Sequence, residues 1–178
     1  MGRYPLIVYF YNNLAHSKQW QNIVHRVLIG PAKWTHIGVS IGQAHFFFTH
    51  TQGSVVTTNK AVFKFMKPHT LLFLGNVDIT IDRLKTIMPK YTPYSKWDMF
   101  LYGLVKFFPW VKHLGYTRPK LCGDGTCEVL NGIGIPIPPF DGYNLEKIRR
   151  WLHENNFVLW ESRYRQNNNS KGTDGPSV

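Results

Sequence analysis

Two cysteines, Cys122 and Cys127, are all the chain has. With four residues between them they can pair only with each other, across a Gly-rich stretch. A disulfide framework is therefore not expected, and a reducing, cytoplasmic compartment fits. The Cys-x4-Cys spacing is half of a zinc site at most. No second half with cysteine or clustered histidine follows, so neither metal nor cofactor is expected. Acid is missing from residues 1–77, which carry seven Lys or Arg before the first carboxylate, Asp78. That imbalance suits a polyanionic neighbour, whether nucleic acid, an anionic membrane or an acidic cell-wall polymer, or else a solvated basic surface. The cations are scattered, and no RNA-binding or helix-turn-helix signature accompanies them. Long apolar runs are missing too: none reaches the ~18–20 residues that cross a bilayer. The opening MGRYPLIVYFYNN has no small-residue cleavage site and reads as a first strand, not a signal peptide.

What is present describes a globular chain of 178 residues, 43% hydrophobic and 15% aromatic, with a net charge of +11. PLIVYFY is a strand-like apolar run. Ser17 caps a predicted helix with Trp20, Ile23, Val24 and Val27 on one face. WTHIGVSI alternates, with Thr35, Ile37, Val39 and Ile41 on one side and His36, Gly38 and Ser40 on the other. Gly42-Gln43 predicts a turn back into AHFFFTH. SVVTT, AVFKFM and HTLLFLGNV are further predicted strands. Predicted helices begin near Asp82, in SKWDMFLYGLVKFF, at the Cys122 segment and in NLEKIRRWLHENN. IPIPPFDG predicts an extended loop and FVLWESRY a last strand. The expected fold is α+β, a largely antiparallel sheet with helices packed on one side. The expected organisation is one domain over 1–164 and a disordered polar tail over 165–178.

Two residues carry chemistry. His36 is a polar side chain at the base of a strand, beside the small Gly38 and Ser40, which predict an open groove. Cys122 precedes a short helix, where the helix-end dipoles favour thiolate and predict a titration well below the ~8.5 of a free thiol. A strand-borne base and a helix-borne thiol are the parts of nucleophilic cysteine catalysis. The backbone N–H of Cys122 is the natural oxyanion donor. Either residue alone also has a plain structural reading, as a satisfied polar residue or a small buried hydrophobe.

The order of these parts resembles circularly permuted papain-like enzymes, the NlpC-like proteins of YiiX/YebB type and the lecithin-retinol acyltransferase group. An apolar strand and a helix lead into THIGVSIG. Cys122 follows far downstream, with Leu130 eight residues on and Gly134-Ile135 beyond, and KYTPYSKWDMF resembles the Tyr-rich segment ahead of the cysteine. The resemblance spans roughly residues 4–135. It implies a permuted papain-like fold and a Cys-His hydrolase, a cysteine peptidase or amidase, acting on peptide, cell-wall peptide or lipid-acyl substrates. The acyltransferase branch fits less well without a membrane anchor. Gly123 and Gly125 depart from the pattern, each costing about 1 kcal/mol in a helix relative to Ala. A helix delayed to Thr126 would make Cys127 the thiol; otherwise Cys127 is a packing residue.

A third member is needed to orient His36, and no acid exists in its neighbourhood. The choices are His45, Thr49, His50 and Gln52. A two-residue turn at Gly42-Gln43 pairs His36 with Thr49; a three-residue turn ending at Ala44 pairs it with His50, the residue chosen here. Cys122, His36 and His50 are thus the expected catalytic set. The rival expectation is a basic binding or structural module of a larger assembly, its thiol incidental. LYGLVKFFPWVKHL, aromatic and basic, lies on a membrane, gates the groove or is a core helix with a proline stop.

Overall fold

Alternation in the sequence becomes a single sheet in the computed structural model, which describes residues 2–12, 34–49, 53–87, 96–114, 120–140 and 144–163. The predicted helix after Ser17, the histidines His16, His25 and His50, Gln52 and the tail 165–178 lie outside these residues.

Six strands form the sheet: β1 (Gly2–Tyr11), β2 (His36–Ile41), β3 (Ala44–Thr49), β4 (Gly53–Thr58), β5 (Pro68–Ile79) and β6 (Trp160–Arg163). Their spatial order is β4-β3-β2-β1-β5-β6, and every neighbouring pair is antiparallel. The fold is α+β, as expected. The β2–β3 hairpin closes through Gly42-Gln43 with Ile41 opposite Ala44. Gly42 takes φ +61° at the first central position, the requirement of a II′ turn that only glycine meets cheaply.

Period two then divides the side chains. One face presents Leu6, Val8, Phe10, Ile37, Val39, Ile41, Phe46 and Leu72, all buried. Two helices cover it: α4 (Cys122–Gly132) through Cys127, Val129 and Leu130, and α5 (Leu145–Glu154) through Leu145, Ile148 and Leu152. Each fully buried aliphatic side chain here contributes roughly 1.5–3 kcal/mol. The other face presents Ile7, Tyr9, Tyr11 and Leu71, and a different helix lies on it.

That helix, α1 (Asn59–Phe65), replaces an expected strand over AVFKFM. Thr58 ends β4 and accepts a hydrogen bond from the Ala61 N–H at 3.2 Å, capping the helix start. Val62, Phe63 and Met66 then recur at helical spacing against Tyr9 and Tyr11. Helices therefore cover both faces rather than one. The remaining helices are α2 (Ile81–Ile87), α3 (Lys96–Phe107) and a 3₁₀ helix over Pro109–Leu114. No described helix is long and apolar enough to cross a membrane.

β6 is fastened to α5 by charge. Glu161 accepts from Arg149 Nη2 at 2.7 and 3.0 Å, from His153 Nε2 at 2.8 Å and from Arg163 Nε at 3.3 Å. Arg149 also reaches Glu146 at 3.1 Å, whose other oxygen accepts from Trp34 Nε1 at 3.0 Å. The Arg149 guanidinium, with the hydrogen bonds from His153 and Arg163, holds the Glu161 carboxyl below its ordinary range despite its partial burial.

Candidate functional site

Helix α4 starts at Cys122, despite Gly123 and Gly125. Asp124 is the reason: its carboxylate accepts from the Leu121 N–H at 2.8 Å, the reciprocal half of a capping box, and Gly125 N–H already reaches the Leu121 carbonyl at 3.1 Å. The delayed start at Thr126 does not occur. Cys127 is buried inside the first turns and packs in the core, as its alternative reading had it.

The Cys122 sulfur meets the sheet at Ile37. Backbone N–H groups of Ile37, Gly123 and Cys122 itself lie toward it and favour thiolate. The strand pairing explains how the Ile37 N–H comes to face the sulfur. The β2–β3 ladder runs from Ile41↔Ala44 to Val39↔Phe46 and stops there. In that register the Ile37 N–H points toward β3, beyond the last pair, and donates to sulfur instead. Cys122 and His36 are brought together to this extent: the thiol touches the residue that follows His36.

His36 itself pairs with Tyr11 across β1–β2, and the two rings lie 6.1 Å apart. This is the face that α1 covers, opposite the face on which α4 packs. Among the described residues the expected open groove is not formed over Gly38. Gly38 and Ser40 are buried, and the space over Gly38 is filled by the ring of His45. His45 is fully buried, its position set by the two-residue turn that pairs it with Ser40. Its Nδ1 lies 2.8 Å from Asn59 Oδ1, while Asn59 Nδ2 donates to the Gly42 carbonyl at 3.0 Å. With that amide so oriented, Nδ1 carries the proton. Nε2 then accepts from the Tyr11 hydroxyl at 3.2 Å. Burial pushes the His45 pKa down and the Tyr11 hydroxyl far up, so both are neutral at pH 7. The result is a continuous polar seam under α1, running from Asn59 through His45 and Tyr11 to the ring of His36.

The turn bears on the third member. The three-residue turn that pairs His36 with His50 is not formed, because Ala44 is already paired with Ile41. Carrying the observed register onward sets His36 level with Thr49, though the strands have parted by then. His50 lies outside the described residues. His45 was weighed on sequence but not chosen; the signal for it was Gly38, whose missing side chain leaves the room that the His45 ring fills.

Electrostatics reverse one expectation. Burial pushes the Cys122 thiol up to about 11, and the Asp124 carboxylate that caps the helix adds to the rise, outweighing the hydrogen bonds. Cys127 is pushed up further, to about 12, again mainly by burial. Both are thiols at neutral pH. The helix-end dipole therefore does not hold Cys122 as a thiolate. Among the described residues no group of three His, Cys, Asp or Glu side chains is placed to hold a metal ion.

No family model, no curated protein and no solved structure matches the chain.

Proposed function

We propose that the protein is a cysteine hydrolase, a peptidase or amidase of permuted papain-like type, with Cys122 as nucleophile and His36 as its base. The observation that supports this is the seat of the thiol. Cys122 opens a capped helix, and its sulfur rests on the backbone of Ile37, next to His36, where the β2–β3 ladder opens. The raised pKa sets the form of the mechanism. Attack begins from the protonated thiol rather than from a standing thiolate–imidazolium pair. In this reading the His36 ring leaves Tyr11 and turns toward the sulfur, taking the thiol proton as sulfur bonds to the acyl carbon of an amide or ester. The carbon–nitrogen or carbon–oxygen bond then breaks, and the leaving group departs with that proton. Water cleaves the thioester, giving the acid and restoring the thiol. Backbone N–H groups at the start of α4 face the developing oxyanion. Peptide, cell-wall peptide and lipid-acyl esters all meet these requirements.

Acyl and peptidyl electrophile probes test the reading. Labelling is expected at Cys122, lost in Cys122→Ser, strongly slowed in His36→Ala and retained in Cys127→Ser. Slow labelling that ignores His36→Ala would overturn it. The side on which His36 meets Tyr11 would then favour the other reading, a basic binding module with an incidental thiol.

A further inference from the structure

The apolar residues of α3 are arranged the wrong way round for a core helix. Trp97, Phe100, Leu104 and Phe107 recur at i, i+3, i+7 and i+10 and so share one face. That face looks outward: Trp97 is 63% exposed and Phe107 59%. The inward side is taken by Tyr102 and Gly103, both buried. The 3₁₀ helix continues the pattern, with Val111 turned in and Trp110 60% exposed next to an exposed Phe108. The rings brace one another: Trp97 stacks on Phe100 at 5.2 Å, and Phe108 meets Trp110 edge-on at 6.4 Å. Single exposed aromatics are ordinary, but five along one short stretch form a patch.

We propose that this face docks on an anionic lipid surface. Charge chooses this occupant over a second copy. Residues 96–114 carry Lys96, Lys106 and Lys112 against the single acid Asp98, on a chain of net charge +11. A second copy would set the same net positive segment and chain against itself. Anionic headgroups complement the net positive charge of the segment and chain, while indole and phenyl rings enter the headgroup–acyl boundary. The docking stands independently of the cysteine chemistry.

Partitioning of the full chain into vesicles tests it, using phosphatidylglycerol mixed with phosphatidylcholine against phosphatidylcholine alone. Binding is expected to the anionic vesicles, to fall with salt, and to bring tryptophan quenching by lipids brominated in the acyl chain. Trp97→Ser with Trp110→Ser should weaken partitioning by on the order of tenfold or more, because both positions lose their apolar burial. Trp97→Phe with Trp110→Phe keeps the apolar body, so binding should persist while the quenched fraction drops. Absence of binding would overturn the proposal. So would equal binding by the Ser variant, which would assign affinity to net charge alone. Self-association without lipid, abolished in the Ser variant, would give the face to a second copy. If the Ser variant does not fold, quenching in the wild-type and Phe proteins decides.

Discussion

Replacing Gly38 with alanine puts a methyl carbon 2.7 Å from His45 Nε2 and 3.2 Å from the Phe46 carbonyl oxygen. Neither neighbour can yield freely. The carbonyl belongs to the sheet, and the imidazole is held from both sides, by Asn59 at 2.8 Å and Tyr11 at 3.2 Å. Elsewhere in a strand, Gly→Ala stabilises by about 0.4–1 kcal/mol through the unfolded chain. Here overpacking should cost about 1–3 kcal/mol. Displacing the ring adds about 1–3 kcal/mol if the buried Tyr11 bond is lost. The net expectation is a loss of roughly 1–5 kcal/mol. For a chain of this size that lowers Tm by roughly 2–20 °C. Urea unfolding with unchanged m-value measures it. Adding His45→Ala to Gly38→Ala should cost less than the sum of the two singles, since the methyl then meets space. A Gly38→Ala protein as stable as wild type would refute the filled seam and restore an open groove.

Three further outcomes follow from the same structure. Alkylation of Cys122 in Cys127→Ser protein should be slow at neutral pH and rise toward the titration near 11; a plateau below the free-thiol range would contradict the burial argument. His45 has a folded pKa below its unfolded value, so the unfolded chain binds more protons on the acid side. Stability should be constant above about pH 6.5 and decline below it, by at most ~1.4 kcal/mol per unit, down to the folded pKa. Urea midpoints at pH 7.5 and 5.5 (about one unit either side of the unfolded value) should differ less in His45→Gln; an equal difference would remove His45 from the account. Glu161→Gln should cost roughly 1.5–3 kcal/mol, because Arg149 keeps only Glu146 as an ionised partner; a shift within error in thermal unfolding would assign β6 to packing instead.

Much of the sheet was legible because one face is apolar and the other is not. Ile37, Val39 and Ile41 identified β2, and Gly42 located its turn. The exact length of that turn was not legible. Two residues or three both leave a plausible hairpin, yet the choice decides whether Thr49 or His50 comes level with His36. Gly38 resolves it only after the ring it accommodates is known. The start of α4 was obscured by Gly123 and Gly125, whose low helix propensity is local. The Asp124 cap that offsets it depends on a single side chain turning back to Leu121. AVFKFM was ambiguous because a short apolar run fits either period, and the Thr58 cap settled it as α1. The pKa of Cys122 was beyond sequence reasoning altogether: the dipole is written in the helix, but the burial that overrides it comes from β2, more than eighty residues earlier.

The place of β1 has a consequence for how the molecule assembles. It lies between β2 and β5, so it is an interior strand whose partners come from well apart in the chain. The β2–β3–β4 meander can close early from local contacts, and β2 and β3 are the strands on which α4 chiefly packs, but β1 keeps a bare edge until β5 arrives. Cys127, buried between α4 and the sheet, should become shielded from a thiol reagent during refolding when α4 docks on β2 and β3. Its protection marks the moment at which Cys122 first reaches Ile37. An arrested or truncated intermediate would hold both halves of the site without ever joining them.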